Sequence, residues 1–244
     1  MTKRVLILGG TGDSSELAGR LVADGHHVVS SLAGVTSRPV MPAGEVRVGG
    51  FGGAGGLAEY VAREGFDLIV DATHPYAVQI SANGASASGI SGVPYLRFER
   101  PAWQAEDGDQ WISARDTADA VARLDPGACA FVTIGRKEIG RFAVREDVRV
   151  VARMIEPPDG DLPADWRIIL ARPPFSFADE VALMRLQEVT VLVSKNAGGP
   201  ARAKIDAARR LGVPVIMIER PAKPAAKVFT TLDEMAAAVA GEGT

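Results

Sequence analysis

The segment LILGGTGDSSELA, residues 6–18, follows an apolar run and leads into a helical pattern, so a glycine-rich turn joins the first strand to the first helix. Gly10-x-Gly12-x-x-Ser15 is a variant of the dinucleotide fingerprint, with serine in the place of the third glycine. Such a turn offers free backbone N–H groups and the positive end of a helix dipole to a phosphate. The segment therefore predicts an α/β fold that binds a nucleotide, and the alternative is a turn with a structural role only.

Individual residues of this segment have separate expected roles. Gly10 permits the tight turn, and Gly12 lets a phosphate approach the backbone. Asp13 and Glu16 have the spacing of a capping box, and Asp13 should point away from a phosphate because the two charges repel each other. Ser14, in the first helical turn, is a candidate cofactor contact. A P-loop is excluded, because the segment has no lysine.

The end of the second predicted strand indicates which nucleotide binds. An NAD site has an acidic residue there, which bonds the ribose 2′-hydroxyl. In the segment VVSSLAGVTSRP, Ser30 and Ser31 occupy that place and Arg38 follows in a short loop. The missing acid and the nearby arginine favour a 2′-phosphate, and hence NADPH. The alternative is that Arg38 is a solvated surface residue.

Apolar runs alternate with helical patterns along the whole chain, which predicts parallel sheets covered on both faces. Residues 100–111 interrupt this rhythm and are a candidate linker. The segment VPYLRFERPA, residues 93–102, returns as VPVIMIERPA, residues 213–222, with six identities in ten positions. We therefore predict two related, Rossmann-like, doubly wound halves with a ligand cleft between them. Residues 1–100 are the predicted NADPH domain, and residues 101–244 are the predicted substrate side.

Composition excludes several classes of protein. The net charge is −3 and no Lys/Arg-rich run occurs, so nucleic-acid binding is not expected. No apolar run approaches the roughly 20 residues that a membrane helix requires. Cys129 is the only cysteine and sits in an apolar run, so it is expected to be a buried hydrophobe. The absence of disulfides fits a reducing compartment, and we expect a cytoplasmic protein.

Ligands of open α/β sheets bind beyond the carboxyl ends of the strands, and most of the later strands of this chain end in basic residues. The residues at the strand ends are Thr73, His74, Arg97, Arg100, Arg136, Lys137, Arg172, Lys195, Asn196 and Arg220. If the two halves face each other, these groups line one cleft that suits a large polyanion. The alternative is that charged residues mark strand ends only because the chain returns to water there.

Other catalytic chemistries have little support in the sequence. No Cys or His pair has metal-ligand spacing, and no Gly-x-Ser-x-Gly elbow occurs. The Tyr-x-x-x-Lys signature of short-chain dehydrogenases is also absent. His74, held between Thr73 and Pro75 after an apolar run, is the best polar candidate. Pro75 stiffens this turn, which would present His74 and Tyr76 to the cleft.

Seven segments, taken together, resemble one known family. They are, in chain order, ILGGTGDSSELA, DATHPYA, RFERPAW, FVTIGRKEI, RPPFS, VSKNAGG and IERP. The chain resembles in these segments the precorrin-6A reductases of cobalamin biosynthesis, over nearly its whole length. The resemblance implies two Rossmann-like halves and an NADPH-dependent oxidoreductase that acts on a CH–CH group of a corrin precursor to give precorrin-6B. It also implies a substrate with many carboxylate arms, and other enzymes of the pathway as candidate partners.

The resemblance also implies roles for matching residues. Gly10, Thr11 and Gly12 would meet the pyrophosphate, Arg38 the 2′-phosphate, and Thr73 with His74 the nicotinamide side. Arg136, Lys137, Lys195 and Asn196 would face macrocycle carboxylates or the cofactor, and Arg97 and Arg220 are further candidate substrate contacts. The proton donor is open among His74, Tyr76, Lys137, Lys195 and water.

Three alternatives remain at the level of sequence. A non-catalytic NADPH-binding regulator would share the glycine turn but would have no need of the basic strand ends. A different NADPH reductase would act on a smaller anion. The cobalt-free and cobalt-containing substrates are not distinguished, and neither are the oligomeric state and the stereochemistry of hydride transfer.

Overall fold

The computed structural model of this protein describes residues 1–33 and 41–241. The chain divides into two compact units: Met1–Pro101 with Ala222–Thr244 form the first, and Ala102–Pro221 form the second. Among the described residues, every helix is too short or too polar to cross a membrane.

The described residues of the first unit form a six-stranded parallel sheet with helices between its strands. Its elements are β1 (Arg4–Leu8), α1 (Gly12–Ala23), β2 (His27–Leu32), β3 (Glu45–Val48), α2 (Ala54–Glu64), β4 (Leu68–Asp71), α3 (Val78–Ser91), β5 (Tyr95–Phe98), β12 (Lys227–Phe229) and α7 (Leu232–Ala240). The strand order is β3-β2-β1-β4-β5-β12, which is the order of a dinucleotide-binding Rossmann fold.

The second unit has the same sheet order. Its elements are β6 (Trp111–Ala114), α4 (Thr117–Ala122), β7 (Cys129–Val132), a 3₁₀ helix (Ile139–Val144), β8 (Arg149–Met154), β9 (Arg167–Leu170), α5 (Phe177–Leu186), β10 (Val191–Lys195), α6 (Ala203–Leu211) and β11 (Val215–Ile218). The strand order β9-β8-β7-β10-β11-β6 matches that of the first unit position by position. The two parallel-sheet α/β halves expected from the sequence are therefore confirmed.

The predicted boundary of the second domain is wrong for its last segment. Residues 222–244 belong to the first unit, because β12 pairs in parallel with β5. Conversely, β6 is the first strand after the chain leaves the first unit, and it pairs with β11, the strand of the second unit that is last in sequence. The chain thus crosses between the units twice, each time at an identical Glu-Arg-Pro-Ala segment, residues 99–102 and 219–222. One of the two outermost strands of each sheet, β12 or β6, is therefore contributed by the chain arriving from the other unit.

The apolar runs read from the sequence are buried on both faces of a sheet. In β1, Val5 and Ile7 join one hydrophobic cluster with Leu17 of α1, while Leu6 and Leu8 join another on the opposite face. Successive side chains of a strand point to opposite faces, so a strand covered on both sides is apolar at consecutive positions rather than at alternate ones. Cys129 begins β7 and is buried, as expected.

Candidate functional site

The glycine-rich turn lies at the carboxyl end of β1, where the strand order reverses between β1 and β4. Thr11 is the N-cap of α1, and its hydroxyl accepts from the Ser14 N–H at 3.0 Å and donates to the Ala72 carbonyl at 3.0 Å. Ser14 Oγ in turn accepts from the N–H groups of Gly10 and Thr11. Gly10 has φ +107°, the conformation for which glycine is required. The capping box is therefore formed by Thr11 and Ser14, and the prediction of Asp13 and Glu16 was wrong.

This arrangement fits a pyrophosphate. The first N–H groups of a helix have no partner inside the helix, and Thr11 caps only that of Ser14. Within the described part of the chain, the N–H groups of Gly12 and Asp13 have no acceptor. A methyl group on Gly12 would meet no atom within 4 Å, so the space in front of the turn is open. The Asp13 carboxylate is compensated by Arg100 Nη1 at 2.5 Å, which reduces its repulsion of a phosphate.

A buried carboxylate organises the neighbouring strand end. Asp71, the last residue of β4, is fully buried and accepts from the Thr73 N–H at 3.0 Å, the Thr73 hydroxyl at 2.6 Å and the Tyr95 hydroxyl at 2.7 Å. Lys223 Nζ lies 3.9 Å from the same carboxylate and 3.4 Å from the His74 carbonyl. Burial, and then the Asp71 charge, raise the pKa of Tyr95 well above its ordinary value, so Tyr95 is a hydrogen-bond donor here.

His74 and Tyr76 follow this network on the turn before α3. His74 Nδ1 accepts from the Tyr76 N–H at 3.3 Å, and the two rings lie 5.6 Å apart. A neutral imidazole that accepts at Nδ1 carries its proton on Nε2, so Nε2–H is a donor. Both side chains are half-buried. The structure therefore brings Gly10, Thr11, Gly12, Thr73 and His74 together where β1 and β4 end.

Of the two residues expected at the ribose and its phosphate, Ser30 and Arg38, the structure describes only Ser30. Ser30 lies within β2, two residues before its end, and its buried hydroxyl has no partner among the described residues. Because Ser30 is only 1% exposed, it does not line a surface site. Arg38 lies outside the described residues. Arg47 of β3, which the sequence did not single out, donates to Ser31 Oγ at 3.4 Å and stacks on Phe51, with 3.8 Å to the ring centroid.

Several predicted cations are ion-paired inside their own unit. In the second unit Lys195 Nζ lies 2.7 Å from the Glu138 carboxylate, and Arg136 lies 2.9 Å from Asp159. Burial acts to raise the pKa of Glu138, but the hydrogen bond and charge of Lys195 outweigh it, so this pKa lies below its ordinary value. Lys137 is exposed. The positive charge inferred from the strand ends is thus partly compensated.

The remaining predicted residues have mainly structural contacts. The Asn196 amide accepts from the Trp103 N–H at 2.8 Å and donates to the Trp103 carbonyl at 3.0 Å. Arg220 donates to the carbonyls of Asn196 and Ala197, at 2.9 and 3.1 Å. In the first unit Arg97 is buried, donates to the Pro224 carbonyl at 2.6 Å and forms an ion pair with the Glu99 carboxylate at 3.2 Å. Arg97 therefore braces the returning segment 222–226.

Sequence reasoning missed the roles of Asp71, Tyr95 and Lys223. Asp71 could have been found, because a carboxylate that ends an apolar run requires partners when it is buried. Tyr95 and Lys223 gave no such signal, since they reach Asp71 only after β5 and residue 223 are brought beside β4. In the described ranges, no three His, Cys, Asp or Glu side chains are grouped in a way that could hold a metal ion.

Comparisons with known proteins agree on one family. The family model for Precorrin-6x reductase CbiJ/CobK matches residues 4–240. A precorrin-6A reductase of Rhodococcus erythropolis is 48% identical over 244 residues, covering 99% of this chain and 98% of the relative. One from Rhodobacter capsulatus is 43% identical, covering 98% and 97%. A solved structure of a CobK precorrin-6A reductase superposes with a TM-score of 0.91 at 40% identity, covering 100% of this chain and 98% of the other. The chain therefore belongs to the precorrin-6x reductase CbiJ/CobK family.

Proposed function

We propose that this enzyme reduces one double bond of the macrocycle precorrin-6A with NADPH, giving precorrin-6B. The observation that carries the proposal is the open glycine turn at the strand switch point, in a chain that belongs to a reductase family. The curated relatives named above are precorrin-6A reductases, which favours the cobalt-free substrate.

Residues of the chain have distinct proposed tasks. Bound NADPH would supply the hydride that adds to a macrocycle carbon. The N–H groups of Gly12 and Asp13 bind its pyrophosphate, while Thr11 and Ser14 hold the turn in shape. Thr73 and His74 line the nicotinamide side. Substrate carboxylates bind to a set of second-unit residues. This set is Arg136, Lys137, Lys195, Asn196 and Arg220.

Ser30 has no place in this proposal because it is fully buried, and Arg97 has none because its guanidinium is held by the Pro224 carbonyl and the Glu99 carboxylate. A carboxylate of the substrate would replace Glu138 as the partner of Lys195, and another would replace Asp159 as the partner of Arg136. Such an exchange replaces one charge-assisted hydrogen bond with another, so its free-energy cost is small. The proposed role of the second unit is therefore to orient the macrocycle.

The deciding experiment follows NADPH absorbance under anaerobic conditions after precorrin-6A is added, with NADH and the cobalt-containing substrate in parallel. Rapid oxidation of NADPH with precorrin-6A is the expected result. NADPH binding without turnover of either substrate would instead indicate a regulator. Turnover of the cobalt-containing substrate alone would move the assignment to the cobalt form.

Arg38→Ala is expected to weaken the preference for NADPH over NADH by at least tenfold. A charge-assisted bond to a phosphate contributes roughly 1.5–3 kcal/mol, and NADH lacks that phosphate. The measurement is kcat/KM for both cofactors in wild type and variant.

Arg47→Ala is the matched comparison, because Arg47 lies beside Ser31 near the end of β2. Unchanged cofactor preference in Arg38→Ala, with loss in Arg47→Ala, would assign recognition to Arg47. Equal use of NADH and NADPH by wild type would contradict a 2′-phosphate site altogether.

We further propose that His74 donates the proton that accompanies reduction, through Nε2–H. His74→Ala is expected to lower kcat by about 100-fold, the lower range for removing a general acid. Single-turnover measurements with saturating NADPH separate this loss from weaker binding. Tyr76→Phe keeps the ring beside His74 and is the control; turnover that survives in His74→Ala would exclude His74.

A further inference from the structure

A cavity of about 490 Å³ lies within the second unit, beyond the carboxyl ends of β7, β8 and β9 and beside the start of α6. Its walls are mainly apolar, with Met154, Phe175 and Pro200 among them. Small-molecule sites in α/β folds have this size and position. None of the roles proposed above uses this space.

Two charges at the cavity neutralise each other. Arg153 binds Glu180 through two bonds of 3.0 and 2.7 Å, and the two side chains are 9% and 2% exposed. The Arg153 guanidinium also stacks on Phe175, with 3.7 Å to the ring centroid. A bidentate pair of this kind has little net charge to offer to a ligand.

Lys204 is the third charged residue at the cavity, and the Arg153–Glu180 pair does not neutralise it. It lines the cavity as the second residue of α6, and in residues 1–33 and 41–241 no carboxylate lies within ion-pair distance of its ammonium group. Its contact is the face of Trp103, 4.9 Å from Nζ to the ring centroid. The N-cap of α6, Arg202, supplies no side-chain acceptor, so the first N–H groups of the helix add to the positive potential.

The ammonium is charged at neutral pH. Burial lowers the pKa of Lys204 to about 8, while the facing groups Glu180 and Arg153 act in opposite directions, Glu180 raising it and Arg153 lowering it. At pH 7 most molecules therefore carry the positive charge, and at pH 9.5 few do.

We propose that this cavity binds an organic monocarboxylate with an apolar body, held by the Lys204 ammonium group and the N–H groups at the start of α6. One uncompensated cation matches one carboxylate rather than a doubly charged phosphate. The apolar walls match the ligand body. The inference does not rest on the proposed reductase activity, since it uses only groups of the second unit.

The test uses 6-bromo-2-naphthoate as the probe, with NADP⁺ present so that the glycine turn is occupied. Binding is measured by calorimetry, and the bromine is located by anomalous diffraction of a soaked crystal. Lys204→Met is expected to weaken binding about 10- to 100-fold, as for loss of one charge-assisted bond. Lys227→Met, an exposed lysine on β12, is the matched control and should leave the affinity unchanged.

Lys204→Arg supplies a second readout that a merely structural role would not give. Wild-type affinity should fall as the pH rises through and above about 8, because the ammonium group loses its proton. The affinity of Lys204→Arg should stay constant, because a guanidinium remains charged.

Two results would overturn the proposal: an equal affinity of wild type and Lys204→Met at pH 7, or a bromine peak outside the cavity. Competition with precorrin-6A then identifies the natural source of the carboxylate. Displacement of the probe would indicate a side arm of the substrate, and its retention a separate small acid; both results require the site to exist.

Discussion

Gly12→Val is expected to weaken NADPH binding by about 100-fold while changing the unfolding temperature by no more than about 3 °C. The pyrophosphate is proposed to approach the backbone at this residue, and a side chain there occupies its place. In the protein alone, a Cβ at this position meets nothing within 4 Å, so the fold should accept it. Calorimetric titration with NADPH and thermal unfolding of the same samples measure both effects.

A graded series makes this experiment sharper. Gly12→Ala should give a smaller loss of affinity than Gly12→Val, because the loss follows the volume added in front of the turn. Gly19→Ala is the control, since Gly19 lies in the same helix and its Cβ also meets nothing within 4 Å. NADPH affinity that stays at the wild-type value in Gly12→Val would remove the turn from the cofactor site.

Asp71→Ala is expected to lower the free energy of unfolding by about 3–5 kcal/mol, the range for removing one partner of a buried charge network. The substitution leaves the hydroxyls of Thr73 and Tyr95 and the Lys223 ammonium without their shared acceptor. These groups have left water, so solvent does not readily replace the acceptor that they lose. Urea denaturation at pH 7 gives the change directly.

The double variant Asp71→Ala with Tyr95→Phe tests the cause. Removing the Tyr95 hydroxyl as well takes away one of the donors that lost Asp71 as its acceptor. The free energy of unfolding should therefore fall by less in the double variant than the sum of the two single losses. A loss below about 1 kcal/mol in Asp71→Ala would mean that water replaces the carboxylate without cost.

Much of the fold followed from local patterns. The runs that became β1, β4, β7 and β10 each hold at least three consecutive apolar residues, with polar residues only towards their ends, and this indicated parallel sheets covered on both faces. The edge strands β6 and β12 were missed because each is short and partly exposed, and because its partner strand is set by tertiary structure. No local pattern states which of two similar sheets a short strand joins.

In the candidate site, too, local sequence predicts some features, while others depend on tertiary contacts. The positions of Gly10, Gly12, Thr73 and His74 at one edge of the sheet could be predicted, because these residues follow closely after the ends of strands. The partners of Lys195 and Arg136 were not found, because side chains distant in sequence meet only in the folded chain. For the same reason the sequence overstated the free positive charge at the strand ends.

The exchange of outermost strands has a consequence for synthesis on the ribosome. The second sheet has all its strands once residue 218 has emerged, whereas the first sheet lacks β12 until residues 227–229 emerge. Until then one edge of β5 has no partner strand, in a nascent chain whose N-terminal half is already long enough to collapse. The unit translated first is thus the last to be finished, and its open edge at β5 is exposed to mispairing until β12 emerges.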